Sequence, residues 1–214
     1  MVVPVRPARS VVAIAEVLLI MGLIFLIIWV VKPLGRSDLD LALRVLVGVL
    51  VLGSPWFHGD SRQRLGLRLD TFWKALARVI PISLLAAGLS LLAGAYLATI
   101  DAPDNAALDF AYYFGWATAQ QYALQSVILL RLEDSGLRDR APLAAASLFS
   151  LVHAPNPGLV ILTFLGGLLW CSTFRRHPNV FAVSLSHAVL AVVVSWTLPP
   201  EVTAGYRIGP AYSR

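Results

Sequence analysis

The sequence predicts an all-α membrane protein, a polytopic bundle of about seven transmembrane helices with a cytoplasmic N-terminus. Of its 214 residues, 58% are hydrophobic and only 14% are charged, whereas soluble domains contain about 45–50% apolar and about 25% charged residues. The mean hydropathy is +0.75. Apolar runs recur along the chain, and their length is close to the roughly 20 residues that a membrane-spanning helix needs. These three observations exclude a water-soluble globule and a disordered chain.

The predicted spans follow one another with short connections. The first, residues 11–31, is interrupted only by Glu16 and is too long for the core of a signal peptide. The others are residues 39–56, 75–98, 108–132, 142–154, 158–174 and 180–198. Span 142–154 reaches only about 20 Å as a helix, less than the roughly 30 Å of a hydrocarbon core. The sequence leaves open whether this span crosses the bilayer or is re-entrant.

The rest of the chain is assigned from its composition. Residues 62–74 mix cations with Leu, Phe and Trp, which is typical of an amphipathic segment at the membrane surface. No repeat or low-complexity linker divides the spans. We therefore expect N-terminal helices and a cytoplasmic linker over residues 1–64, a membrane core over 65–198 and a short C-terminal tail over 199–214.

The distribution of Lys and Arg predicts the orientation of the bundle. The connections on the N-terminal side carry eleven of these cations and those on the opposite side four, and cytoplasmic loops are the ones enriched in Lys and Arg. The larger set is Arg6, Arg9, Arg62, Arg64, Arg68, Lys74, Arg131, Arg138, Arg140, Arg175 and Arg176, and the smaller is Lys32, Arg36, Arg207 and Arg214. The N-terminus is therefore predicted to be cytoplasmic.

The net charge restricts the classes of binding partner, and the cysteine count restricts the possible disulfide bonds. The charge of +5 is spread between the apolar runs instead of gathering in one basic patch, so we expect membrane lipids and no nucleic acid as partners. A single cysteine, Cys171, excludes an intrachain disulfide.

Several polar side chains lie inside the predicted spans, where they are costly and mark bundle-facing or functional positions. They are Glu16, Gln120, Gln121, Gln125, His153 and His187. The glutamines either join helices by hydrogen bonds or form a functional site, and the histidines are either satisfied core residues or catalytic and metal-binding ones. Glu16 is expected to face the headgroups, and His58, in a loop, to be solvated.

Three short motifs in these spans resemble those of the CPBP family of intramembrane proteases, which includes CAAX prenyl proteases and bacteriocin-processing and self-immunity proteins. The family carries Glu-Glu-x-x-x-Arg, Phe-x-x-x-His and His-x-x-x-Asn on separate helices. Here Phe149 and His153 keep the second motif, and His187 keeps the third with Ala191 in place of Asn. The first motif aligns with three glutamines, Gln120, Gln121 and Gln125.

The resemblance implies an endopeptidase of the bacterial inner membrane that hydrolyses peptide bonds of membrane-anchored substrates. It implies catalytic roles for His153, His187, Gln120 and Gln121, with Gln125 and Phe149 in support. A divalent metal such as zinc on His153 and His187 is also implied, although a neutral amide is a poor zinc ligand and cannot act as a base.

The alternative is an inactive pseudoprotease that binds a membrane peptide in an immunity or regulatory role. Three amides of similar length in place of two anions and a cation preserve hydrogen bonding without buried charge. We therefore expect the charge-restoring pair Gln120→Glu with Gln125→Arg to fold.

Overall fold

The computed structural model describes residues 7–213, with side chains from Ser10 onward. Arg6 and Arg214, which entered the charge count, lie outside the described residues, as does the side chain of Arg9. Within this range the chain is helical and has no β-strand, so the all-α prediction is confirmed.

The described range contains nine α-helices. They are α1 (Pro7–Leu26), α2 (Ser37–His58), α3 (Phe72–Leu97), α4 (Ala106–Gln121), α5 (Leu130–Leu132), α6 (Ala141–Leu151), α7 (Pro157–Arg176), α8 (Val180–Thr197) and α9 (Pro200–Thr203). Wider π-helical turns, Ile27–Val31 and Tyr122–Leu129, extend α1 and join α4 to α5. Predicted span 108–132 is therefore a single helical rod whose middle has an altered winding.

Five helical stretches are long and apolar enough to cross a membrane. They are Ser10–Val31, α2, α3, α7 and α8. Predicted spans 108–132 and 142–154 form helices but are not among these five. An integral membrane bundle is thus supported, and the count of seven spans stays a prediction.

Two asparagines cap the last long helices and tie them to distant segments. Asn156 accepts a hydrogen bond from the Leu159 backbone N–H at 3.1 Å and donates to the backbone oxygen of Thr203 at 2.7 Å. Asn179 accepts from the Ala182 N–H at 2.9 Å and donates to the Arg68 backbone oxygen. Because each cap satisfies an otherwise unpaired helix N–H, these residues fix both where α7 and α8 begin and what packs beside them.

The segment predicted to lie at the membrane surface, residues 62–74, packs in part against the bundle. Leu65 is buried, and its carbonyl accepts a hydrogen bond from the Ser126 hydroxyl at 2.8 Å. Gly66 has φ +70°, and a Cβ there would lie 2.5 Å from the Phe174 ring. Part of the predicted surface segment is therefore a turn whose backbone groups find partners within the protein, and its position at the membrane surface stays a prediction.

Helices α3 and α8 pack tightly together at a glycine. A Cβ on Gly94 would lie 2.8 Å from the backbone oxygen of Thr197. One turn earlier, the Ser90 hydroxyl hydrogen-bonds the Thr197 hydroxyl at 2.6 Å. Small residues of this kind let membrane helices pack backbone to backbone.

Gly94→Ala is expected to destabilise the protein by about 1–3 kcal/mol, because the added methyl group must push α3 away from α8. The measurement is the thermal unfolding midpoint in detergent. Gly88→Ala is a matched control on the same helix, since a Cβ there meets no atom within 4 Å. Equal midpoints for the two variants would contradict the packing.

The connections between helices gather at two ends of the bundle. At one end, named here the charged end, Arg64 pairs with Asp134, and the Asn179 amide bonds the Arg68 backbone. At the other end, the Gly209 N–H donates to the Ala154 carbonyl at 2.8 Å, and Asp101 N–H to Trp196 oxygen at 2.8 Å. Residues 199–213 thus pack against the bundle at the end opposite the charged end.

Candidate functional site

Two buried glutamines and a histidine form a hydrogen-bonded string between the α4 rod and α8. Gln121 and Gln125 are both fully buried. The Gln125 amide nitrogen Nε2 donates to Gln121 Oε1 at 2.9 Å. The Gln121 Nε2 in turn donates to His187 Nδ1 at 3.1 Å. Because Nδ1 accepts this bond, a neutral His187 carries its ring proton on Nε2.

An aromatic ring fixes the plane of His187. Trp170 on α7 stacks on the imidazole with ring centroids 4.4 Å apart and an interplanar angle of 28°. Its indole N–H donates to the Ser186 hydroxyl at 2.9 Å, which bonds the Ser83 hydroxyl at 2.8 Å. Residues from helices α3, α7 and α8 therefore jointly position the His187 imidazole.

The second histidine presents the opposite protonation pattern. His153 lies two residues beyond α6, and its Nδ1 contacts the Phe149 backbone oxygen at 2.9 Å. A carbonyl oxygen only accepts, so Nδ1 carries the proton and Nε2 keeps its lone pair. The Phe149 ring meets both imidazoles edge-on, with centroids 5.2 Å from His153 and 6.0 Å from His187.

The structure therefore connects five of the six predicted site residues. The Phe149 ring contacts the imidazoles of His153 and His187, and the hydrogen-bonded string links Gln121 and Gln125 to His187. Gln120 is partly exposed and makes no side-chain hydrogen bond in the described part of the chain. Trp170 and Ser186 also belong to this site and were not among the predicted site residues, although Ser186 directly precedes His187.

The donor set does not fit a zinc ion. Among residues 10–213 no three His, Cys, Asp or Glu side chains are placed to hold a metal together. The Nδ1 atoms of both histidines are engaged in hydrogen bonds, and the remaining neighbours are neutral amides. Catalytic zinc sites use three protein ligands of the His, Glu, Asp or Cys type, so no step is derived through a metal.

A separate group of buried charges lies at the charged end. Arg131 is fully buried, and its guanidinium donates to Asp60, to Asp134 at 2.8 Å and to the Ser54 hydroxyl at 3.0 Å. The remaining members are Glu16, His58 and Arg64. We call these residues, with Arg131, Asp60 and Asp134, the ion network.

The ion network corrects two expectations. Glu16 does not face the headgroups, because its carboxylate bonds His58 Nε2 at 2.8 Å and lies 3.7 Å from Arg131. His58 is not solvated, since only 11% of its side chain is exposed. Arg131, counted among the cations of the cytoplasmic side, is fully buried in the same network. The physical reason is that the α1–α2 hairpin docks against α5 and brings opposite charges together.

Arg64 shows how strongly the network favours its charged form. Burial by itself lowers the pKa of the Arg64 guanidinium, but the contacts with Asp134 and Asp60 outweigh burial and raise this pKa above its ordinary value. The same opposition is expected wherever several charged groups are buried together, because desolvation disfavours the charged forms and the opposite charges beside them favour these forms. The network therefore has a structural role, joining the first two helices to the rest of the bundle.

The site offers one proton acceptor and one proton donor. His153 Nε2 is able to accept a proton, and His187 Nε2–H is able to donate a hydrogen bond. Among the described residues, no carboxylate bonds either imidazole. The chemistry available is therefore that of two imidazoles ordered by amides and aromatic rings.

The comparisons with known proteins agree with the motifs. The model of the family described as "Type II CAAX prenyl endopeptidase Rce1-like" matches residues 110–193. This region runs from α4 to α8 and contains all six predicted site residues. Neither the comparison with curated proteins nor that with solved structures gives a match. The resemblance to the CPBP family is confirmed for this part of the chain.

Proposed function

We propose that this chain, which carries the Rce1-like region of the CPBP family, is an integral membrane endopeptidase. Its substrates are membrane-anchored peptides or proteins, and its location is the bacterial inner membrane. The observation that carries the proposal is the pair of imidazoles against Phe149, one with a free lone pair and one with a proton to donate.

In the proposed mechanism, His153 is the general base. Its Nε2 takes a proton from a water molecule as the water oxygen attacks the scissile carbonyl. The Nε2–H of His187 donates to the oxygen that becomes negative in the tetrahedral intermediate. The protonated His153 then gives its proton to the leaving amine, so base and acid roles alternate on one side chain. Gln121 keeps the His187 proton on Nε2.

The proposal includes seven membrane-crossing helices and a cytoplasmic N-terminus. Its support is that successive connections alternate between the two ends of the bundle. The segments after α2, α5 and α7 meet at the charged end, and those after α3, α6 and α8 meet at the other. The charged end holds most of the Lys and Arg residues, as a cytoplasmic face does.

A second candidate function, an inactive binding protein, is favoured by one specific observation. The carboxylates of Glu16, Asp60 and Asp134 are committed to the ion network, and none contacts His153 or His187. General bases contribute typically about 10²–10⁴-fold to a rate. A site without a carboxylate therefore suits a protein that holds a membrane peptide without cutting it, in an immunity or regulatory role.

Cleavage of quenched, membrane-anchored peptides by the protein in lipid nanodiscs tests the proposal. We expect turnover that falls roughly 10²-fold or more in His153→Ala and is also lost in His187→Ala. His177→Ala, in the connection between α7 and α8, is the matched control and should keep the wild-type rate. A chelator arm reports on metal dependence. Peptide binding without turnover by folded protein would establish the binding function instead.

A further inference from the structure

One cation inside a predicted span has no counter-charge among the residues that the structure describes. Arg78 lies six residues from the start of α3, about 9 Å along the helix axis. Within the described residues its guanidinium forms no ion pair, and its Nε atom is buried without a hydrogen-bond partner. Charged side chains in membrane spans nearly always find partners, and an unpaired one indicates a binding position.

Arg78 lies on the face of α3 that turns away from the protein. Residues spaced by three, four or seven positions share one helix face. The residues that continue the face of Arg78 toward the C-terminal end of α3 are strongly exposed. They are Ile82 at 52%, Leu85 at 64%, Leu89 at 58% and Leu92 at 70%. Below Arg78, the helix therefore presents a continuous apolar stripe to the hydrocarbon.

A second cation extends this face toward the membrane surface. Lys74 stands one turn before Arg78 and is exposed, and Trp73 beside it is 75% exposed. Tryptophan at a helix end is typical of the headgroup level. The nearest acidic residue along the chain, Asp70, is paired with Arg68. The two cations thus carry a local positive charge that the described protein does not neutralise.

We propose that Lys74, Arg78 and the apolar stripe form a binding site for an anionic phospholipid. The lipid phosphate lies between the two cations, and one acyl chain follows Ile82, Leu85 and Leu89. Because the Nε atom is buried, the guanidinium is held against the protein surface. The lipid phosphate therefore has to bind at this position. This distinguishes a bound lipid from general contact with headgroups. The site is independent of the chemistry at His153 and His187.

Native mass spectrometry of the purified protein with equal amounts of phosphatidylglycerol and phosphatidylcholine tests this site. We expect wild-type protein to retain phosphatidylglycerol preferentially. Arg78→Gln should lower that retention roughly fivefold, the effect of one cation at a membrane surface. Lys74→Gln should act in the same direction. Arg62→Gln is the control, because it removes an exposed cation from the preceding connection without touching α3.

Folding and ligand identity are checked in the same experiment. Lys74 is exposed, so Lys74→Gln tests the site even where Arg78→Gln fails to fold, and Arg78→Lys should keep the lipid preference. Equal retention of the two lipids by wild-type protein would overturn the proposal, as would equal loss in Arg62→Gln. Displacement of the lipid by millimolar inorganic phosphate would also overturn it, because the site would then recognise phosphate alone.

Discussion

Replacing Arg131 by methionine is expected to destabilise the protein by about 3–5 kcal/mol, the cost of removing one partner from a buried ion pair. Arg131 and Asp60 both have fully buried side chains. Without the guanidinium, Asp60 retains only Arg64, and Asp134 loses one of its two arginine partners. The buried carboxylates then lack the charge that offsets their desolvation.

The measurement is unfolding of the purified protein in detergent, followed by helical circular dichroism. Arg140→Met, at an exposed position, is the control and should behave like the wild type. Adding Asp60→Asn to Arg131→Met should recover part of the loss, since it removes a buried charge that has lost one of its two arginine partners. An unchanged midpoint for Arg131→Met would show that the α1–α2 hairpin does not depend on the ion network.

Gln121→Glu is expected to lower peptide cleavage roughly 10²–10³-fold below the wild-type rate, the usual cost of losing one donor to the oxyanion. The new carboxylate can only accept, so His187 would donate to it from Nδ1 and expose the lone pair of Nε2. Nε2 then has no proton to donate to the oxygen that becomes negative in the tetrahedral intermediate. The Gln125 amide remains as a donor to the carboxylate.

Two measurements check this prediction. Nitrogen-15 NMR of labelled histidine should show the His187 proton moving from Nε2 to Nδ1, and the cleavage assay should show the fall in rate. Gln120→Glu is the comparison variant, because Gln120 is partly exposed and lies outside the hydrogen-bonded string. A moved proton with an unchanged rate would contradict the role of His187 in the proposed mechanism.

The same geometry favours a different charge-restoring pair from the one expected to fold on the basis of the sequence. The Gln125 side chain bonds Gln121 and not Gln120. An arginine at position 125 would therefore meet a carboxylate in Gln121→Glu but not in Gln120→Glu. We expect Gln121→Glu with Gln125→Arg to fold better than Gln120→Glu with Gln125→Arg, because a buried cation needs its partner within contact distance.

The sequence alone determined the helical class and the segments that carry the motifs. Predicted spans such as 39–56 and 180–198 agree with α2 and α8 to within a few residues. The reason is physical: a backbone in hydrocarbon must satisfy its hydrogen bonds internally, so a long apolar run without breaks has few alternatives to a helix. The motifs likewise placed the two histidines in separate segments of the chain: His187 lies on α8, whereas His153 lies two residues beyond the end of α6.

The tertiary structure decided which side chains meet. Gln121 rather than Gln120 forms the hydrogen bond to His187. Tyr122–Leu129 is wound as a π-helix, which no residue pattern predicted. Glu16 is expected at the headgroups and His58 in solvent when each is considered alone, yet their side chains pair with each other beside the buried Arg131. The environment of these side chains depends on partners that are distant in the chain. Local hydropathy contains no information about which distant residue will pair with a given charged side chain.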